Sequence, residues 1–406
     1  MVQVVTQTSL VAQKVAQTQQ ILRDLHIDCW IVQFAQETGL HPDPVQNLLI
    51  GTDVTWLAAF IIPAQGEPTA ILGALDVEKA RAVGAYPEVI GYVQGISAPL
   101  QAWLTAHDPQ KIAVTTSQND HAADGITLGN YRRLLKALQG TPYAKRIVPA
   151  EEIVLRVRGR KLPQEVARIR QACQLTEQLF EEITARLRPG VTGLEISHFA
   201  HECMRTRDLA PAWEADSCPC IPIGPRSPVG HVPAGNIAAE PGDVIFCDVG
   251  VVYEGYRSDM QRTWYMLRAG EDHAPANVQH AWDTLMAAVT AGVKKLVPGN
   301  KGWQVDAAAR KVIVDRGFAA PEFAFGHHLG ANAHDGGVVL GPRWERYGRA
   351  PQYPVEIDQV YAVEYGIPTH EPYLGWVSVE DDLRITADGV EWLVPPQREI
   401  KLLHGA

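Results

Sequence analysis

Val244-Ile-Phe-Cys-Asp248-Val-Gly-Val-Val-Tyr-Glu-Gly-Tyr-Arg-Ser-Asp259 sets one acid in the middle of an almost wholly apolar run and a second acid eleven residues on. Burying an ionised carboxylate costs several kcal/mol unless a cation or hydrogen bonds compensate it. Glu254-Gly255 is a hairpin-turn signal, which folds the two aspartates back toward each other. Further along, Val360-Tyr-Ala-Val-Glu364 again ends an apolar strand on an acid, and Glu380 follows Trp376-Val-Ser-Val and precedes Asp381-Asp382. A single acid of this kind reads as the partner of an Arg or the cap of a turn. Four of them cannot converge in a core without strong positive charge. Arg257 and Arg262 supply some of that charge, and divalent metals supply more.

The strands belong to a faint internal repeat. Leu187-Arg-Pro-Gly190 and Leu296-Val-Pro-Gly299 each end a helix, and each is followed by a second helical pattern, Leu194 to Arg205 and Trp303 to Arg316. Thr192 and Glu195 form a capping-box pattern for the first of these. Gly224 and His231 are seven apart, as are His327 and His334. Two similar α+β halves facing each other would bring the strands ending in Asp248 and Glu364 together. The imidazoles cluster in Phe325-Gly-His-His-Leu-Gly-Ala-Asn-Ala-His334-Asp-Gly-Gly337, where three histidines in eight residues lie among glycines that leave the backbone free to shape itself around a site. Carboxylates with one or two imidazoles suit Mn, Co, Fe or Zn better than thiolate-loving metals.

In the order Asp248, Asp259, Gly326-His327-His328-Leu329-Gly330, Glu364, Glu380, roughly residues 155 to 395 resemble the pita-bread metallopeptidases, which include aminopeptidase P, prolidase and methionine aminopeptidase. Ser258-Asp259-Met-Gln-Arg262-Thr263 also resembles the family's Ser-Asp-x-Thr-Arg-Thr, with Gln261 in place of the middle Thr. The resemblance implies two divalent ions, Mn first with Co, Zn or Fe as alternatives, bound by Asp248, Asp259, His327, Glu364 and Glu380. It assigns Asp259 and Glu380 as bridging ligands, Glu364 as general base toward a metal-activated hydroxide, and His231 and His334 as hydrogen-bond donors to the substrate carbonyl. The chain departs from the family pattern at Tyr365, where Pro is usual, at Gly337, again for Pro, and at Ser378, where Arg is common two residues before the last Glu. These departures leave the ligands intact and bear on the substrate. Ser378 is expected to share the face of Glu380 and to leave room for water or a larger substrate group, unless Arg343, Arg346 or Arg384 takes over the cation's role.

The front of the chain reads as a mixed α/β domain. Leu10 to Leu25, Asp76 to Val83 and Tyr131 to Leu138 have helical patterns. Cys29 to Phe34, Trp56 to Ile62, Thr69 to Leu72 and Lys111 to Thr116 read as strands. It contains no cluster of metal-ligating residues, and it resembles, more loosely, the creatinase-type domain that precedes the catalytic domain in aminopeptidase P and prolidase. The expected organisation is therefore a creatinase-like α/β domain over residues 1–155 and an α+β pita-bread catalytic domain with a pseudo-twofold repeat over 156–406. The run Arg156-Val-Arg-Gly-Arg-Lys161 reads as a solvated linker, and Pro163 opens the helix that follows, from Glu165 to about Leu187. The first domain is expected to restrict access to the site and mediate association rather than take part in chemistry.

The 406 residues are 46% hydrophobic and 20% charged, which excludes a disordered chain, and the net charge of −10 argues against a non-specific nucleic-acid binder. The six cysteines include no CxxC pair; the nearest, Cys218-Pro-Cys220, reads as two half-buried thiols on an extended segment. Free thiols, no basic start followed by an apolar stretch, and no apolar run of membrane-spanning length fit a cytoplasmic protein acting on small peptides. The resemblance adds a homodimer or higher oligomer. The expected activity is Xaa-Pro hydrolysis, of the aminopeptidase P or prolidase type. A methionine aminopeptidase typically lacks a front domain of this length. A creatinase-like amidinohydrolase and a catalytically retired binding protein both predict eroded ligands, and all five ligand positions are intact.

Overall fold

The computed structural model describes residues 9–230 and 232–404. The chain divides into two compact units, Met1–Arg158 and Gly159–Ala406.

The first unit is built on one six-stranded sheet. Its elements are α1 (Leu10–Asp24), β1 (Cys29–Ala35), β2 (Ala58–Pro63), β3 (Thr69–Gly73), α2 (Val77–Val83), β4 (Glu88–Tyr92), α3 (Ser97–His107), β5 (Ile112–Val114), α4 (Leu128–Ala137), β6 (Ile147–Pro149) and α5 (Glu151–Gly159), with sheet order β4-β3-β2-β1-β5-β6. Alternation along each strand splits the core in two. Trp30, Val32, Phe60 and Ile62 face α1 and α5, while Cys29, Ile31, Ala59 and Ile61 face α3 and α4. Strands buried on both faces read as unbroken apolar runs, which is why β1 and β2 are legible in the sequence. Half-exposed β4 is not, and it went unpredicted. Nor was α3, whose apolar residues hold no strong helical stripe.

The basic run Arg156–Lys161 is not a solvated linker. Arg156, Arg158 and Gly159 lie in α5, whose Ile153, Val154 and Val157 join the core of the first unit. Arg158 and Lys161 are each only 2% exposed. Long basic side chains can be buried when a partner satisfies the head group. The Arg158 guanidinium donates to the Pro44 carbonyl, and Lys161 Nζ lies 2.9 Å from Asp335 Oδ2. The linker reading counted charges and missed these acceptors.

The second unit begins with α6 (Pro163–Arg186), where Pro163 occupies the first turn and Glu165 Oε2 accepts from the Leu162 N–H at 2.8 Å. The capping box of Thr192 and Glu195 opens α7 (Gly193–Thr206) as expected. Then come β7 (Ala210–Pro211), β8 (Val244–Val249), β9 (Val251–Tyr253), β10 (Tyr256–Arg257), β11 (Met260–Met266), α8 (Ala276–Val293), α9 (Gly302–Asp315), β12 (Gly326–His328), β13 (Val339–Leu340), β14 (Val360–Pro368), β15 (Trp376–Thr386), β16 (Gly389–Trp392) and β17 (Lys401–Leu403). Glu254 and Gly255, both at positive φ, form the turn between β9 and β10.

The main sheet runs β13-β12-β14-β15-β11-β17, with β8 paired to β11 and β16 to β15. Each half thus contributes two long helices and an antiparallel pair, β8·β11 or β14·β15. The two expected strands, β8 and β14, are not paired with each other, although their acids line one pocket. The halves meet through β11 and β15, which pair at Gln261 opposite Glu380. Among the described residues, no helix is long and apolar enough to cross a membrane.

Candidate metal centre

The paired strands deliver their acids to one place. Asp248 lies on β8, Asp259 just ahead of β11, Glu364 on β14 and Glu380 on β15. Glu364 faces Glu380 in the β14·β15 register, and Gln261 faces both Glu380 and Asp248. All four carboxylates line a pocket of about 250 Å³, together with His327, His334, Trp213, Glu214, Ser217, Cys220 and Ala333.

Both glycines of Gly326-His-His-Leu-Gly330 have a physical role. A Cβ at Gly326 would sit 2.3 Å from the Ala362 carbonyl oxygen, so only glycine lets β12 lie this close to β14 and present His327 to the acids. A Cβ at Gly330 would sit 2.3 Å from Asp335 Oδ2 and 2.7 Å from Lys161 Nζ, inside the buried ion pair. His327 Nε2 lies 3.6 Å from Glu380 Oε1, 3.9 Å from Asp259 Oδ2 and 4.0 Å from Glu364 Oε1. The His334 ring meets the His327 ring edge-on, with centroids 4.4 Å apart. His328, the third of the cluster, points away from the pocket. It is buried against Tyr361, and burial followed by the nearby Lys161 charge holds its pKa down to about 3, so it stays neutral. His231 lies outside the described residues.

Burial and mutual repulsion set the electrostatics. Burial raises the pKa of Asp248 to about 7, and burial with the Asp248 charge raises Glu364 to about 8. Asp259 and Glu380 are pushed well above the carboxylate range by burial and by the other acids. The arginines proposed to neutralise the acids are engaged elsewhere. Arg257 Nε donates to the Ala212 carbonyl, while Arg262 pairs with Glu177 at 2.7 Å and Asp381 at 2.8 Å. Asp248 Oδ1 and Glu380 Oε1 are buried with no hydrogen-bond partner among the described residues. Asp259, His327 and Glu380 each offer a ligand atom, all within 4.8 Å of one another. Oxygen donors with unsatisfied lone pairs beside an imidazole fit divalent metal ions.

Sequence reasoning missed several supporting residues. Asp382 Oδ2 accepts from the Asp259 N–H at 3.0 Å and from Cys173 Sγ at 3.1 Å, holding the backbone that carries Asp259. The acid triplet Glu380-Asp-Asp382 was its only trace in the sequence. Cys218 and Cys220 are both buried rather than half-buried, and Cys220 exchanges backbone hydrogen bonds with Asp248 while lining the pocket.

The three departures also find their places. Tyr365 donates to Asp306 Oδ1 at 2.6 Å and is not among the pocket residues. Gly337 has a positive φ of 77°, a conformation proline cannot adopt. Ser378 does share the face of Glu380, but its hydroxyl donates to Gln261 Oε1 and it is not among the pocket residues, so it adds no room to the pocket. Arg343 stacks over Trp303, Arg346 donates to the Glu322 carbonyl and Arg384 pairs with Asp358, so none of the three replaces a cation in the pocket.

Residues 167–387, more than half the chain, match the profile of metallopeptidase family M24. The chain belongs to the M24 metallopeptidases. Its fold is theirs as well. A Xaa-Pro dipeptidase from Bacillus anthracis superimposes with a TM-score of 0.73 at 21% identity, covering 97% of this chain and 100% of that one. An X-Pro aminopeptidase from Thermotoga maritima MSB8 gives 0.70 at 21% identity, covering 95% and 100%. In sequence, an uncharacterized peptidase of Staphylococcus saprophyticus is 26% identical over 360 residues, or 88% of this chain and 90% of its own. Both structural neighbours span the two units, so the pita-bread catalytic unit with a preceding α/β domain is the architecture of this M24 member.

The metal-free state has a testable pH dependence. Asp248 and Glu364 hold their protons in the fold to about pH 7 and 8, whereas unfolded carboxylates lose theirs near ~4. The fold binds the extra protons, so this contribution is complete below pH ~4 and is lost as pH rises through 7 and 8. Each group contributes a slope of up to about 1.4 kcal/mol per pH unit across that window. The melting temperature of the chelator-stripped protein is expected to fall between pH 6 and 8.5, and to fall less with Mn2+ present. A flat or rising profile without metal would contradict the burial argument.

Proposed function

We propose that this M24 member is a metal-dependent peptidase that hydrolyses the bond on the amino side of proline, in Xaa-Pro dipeptides or at the N-terminus of longer peptides. The observation that carries the hydrolytic reading is the convergence of Asp248, Asp259, Glu364 and Glu380 with His327 in one pocket, two of their oxygens having no hydrogen-bond partner among the described residues. The named activities of the similar folds support the proline preference.

Asp248, Asp259, His327, Glu364 and Glu380 would hold two divalent ions. When bound, such ions act as Lewis acids toward the scissile carbonyl and toward water. The remaining work falls to the side chains. Glu364 takes the proton of the attacking water as general base, since it lines the same pocket as the other acids. It then returns that proton to the departing amine. His334 donates a hydrogen bond to the carbonyl oxygen as negative charge develops there, and His231 is assigned the same role.

A panel of Xaa-Pro dipeptides, longer Xaa-Pro peptides and matched Xaa-Ala controls, run on chelator-stripped protein with and without Mn2+, tests this reading. The expected result is Mn2+-dependent cleavage with kcat/KM at least about tenfold higher for proline, near 1.4 kcal/mol in transition-state binding. Equal cleavage of the alanine peptides would refute the proline assignment. Undiminished activity after stripping would refute the metal assignment.

A further inference from the structure

Where β11 crosses β15, three buried polar side chains form a relay. The Ser378 hydroxyl donates to Gln261 Oε1, and Gln261 Nε2 donates to Glu380 Oε2 at 2.7 Å. All three residues are nearly inaccessible to solvent. We propose that Gln261 is a positioning residue for the metal centre: its amide, oriented by Ser378, holds one oxygen of Glu380 so that the other faces the acid cluster.

The direction of the relay follows from donor chemistry. A carboxylate that holds a metal ion is ionised and accepts only, so for Glu380 to serve as a ligand the Gln261 amide must present its NH2 to it. A flipped amide would set its carbonyl oxygen against the carboxylate. The Ser378 hydroxyl has one hydrogen, and committing it to Gln261 Oε1 selects the productive orientation. Its other acceptor, the Tyr365 carbonyl, is farther away at 3.4 Å. The Ser378 N–H is already given to Thr263 Oγ1 at 3.0 Å, which fixes the serine on the sheet.

The outcome is visible at Glu380. Oε2 is occupied by the amide, while Oε1 has no hydrogen-bond partner among the described residues and is the oxygen nearest His327, at 3.6 Å. Gln261 also stands opposite Asp248 in the β8·β11 register. A residue on β11 of one half thus holds a ligand on β15 of the other. Hydrogen bonds that orient metal ligands are worth roughly 10- to 100-fold in metal affinity.

The inference rests on the metal-site reading above, and the experiment separates the two. Chelator-stripped full-length protein is titrated with Mn2+ by calorimetry for wild type, Gln261→Met, Ser378→Ala and the double variant, alongside thermal melts in chelator. Gln261→Met keeps the length of the side chain and removes the amide. It is expected to weaken the weaker Mn2+-binding step by about tenfold or more, and to lower kcat at saturating Mn2+ with little change in KM. Ser378→Ala, which frees the amide to flip, is expected to weaken the same step by about threefold. The double variant should bind no worse than Gln261→Met alone, because the serine acts only through the amide.

Wild-type Mn2+ affinity and stoichiometry in a folded Gln261→Met protein would overturn the proposal, as would additive losses in the double variant. Should Gln261→Met melt below the assay temperature, Ser378→Ala decides alone, and unchanged Mn2+ binding there refutes the relay. A wild type that binds no Mn2+ would overturn the metal-site reading, and this inference with it.

Discussion

Asp259→Asn is expected to lower turnover by about 10³-fold or more, roughly 4 kcal/mol, while making the chelator-stripped protein more stable at pH 8. The two effects have one cause. Asp259 is buried and repelled by Asp248, Asp382 and Glu364, so its charge is unfavourable in the empty fold. An amide removes that charge at nearly the same volume and keeps the N–H bond to Asp382, which involves the backbone rather than the side chain. The expected gain is about 1–3 kcal/mol, since relieving a buried charge is worth several times a surface change. With metal present the order reverses, because the carboxylate binds the ion and the amide does so poorly. Thermal melts with chelator and with Mn2+, beside the peptide assay, check both halves. Activity within tenfold of wild type, or a stripped variant that melts earlier, would count against Asp259 as a ligand.

Opposite signs of this kind explain why part of the site was legible and part was not. An acid in an apolar strand violates the pattern that builds the strand, and such local conflicts are expected at functional sites. Asp248, Glu364 and Glu380 announced themselves that way, and Gly326-His-His-Leu-Gly330 did so through glycines whose Cβ atoms would collide with backbone or with an ion pair.

The supporting residues violate nothing locally. Gln261 and Ser378 are ordinary polar residues in strands, and their bond joins positions 117 apart in sequence. Each was noticed only as a departure from a family pattern, and taken singly Ser378 looked like vacated space. Only the register of β11 on β15 shows that the two form one unit. Trp213, Glu214 and Ser217 sit on a loop with no periodicity, so nothing in the sequence marks them as pocket wall. Strand β4 was missed because its alternation is weak, and the basic run was misread because its acceptors lie far along the chain, at Pro44 and Asp335.

That last misreading leads to the second large effect. Lys161→Met is expected to destabilise the second unit by about 3–5 kcal/mol, as removal of one member of a buried ion pair generally does. Lys161 Nζ and Asp335 Oδ2 are 2.9 Å apart, with both side chains almost wholly out of solvent. Methionine fills the same channel but removes the charge from beside a buried carboxylate.

The damage should reach function as well. Asp335 follows His334 directly, its N–H donates to the His328 carbonyl at 2.9 Å, and its Oδ1 accepts from the Asn332 N–H at 3.1 Å. The carboxylate thus ties together the turn between His327 and His334, and Lys161 anchors that turn to the chain entering α6. Loss of the anchor should lower kcat more than it raises KM, since His334 is assigned to the developing oxyanion rather than to ground-state binding. A second variant, Lys161→Met with Asp335→Asn, keeps an acceptor for Asn332 and removes the stranded charge. It should regain much of the lost stability, whereas activity should stay low because the anchor is still missing. Urea unfolding at pH 7.5 and steady-state kinetics at saturating Mn2+ measure the two quantities. A loss below about 1 kcal/mol in the single variant would place the pair among ordinary surface bridges, and the double variant recovering activity together with stability would show that the anchor does not position His334.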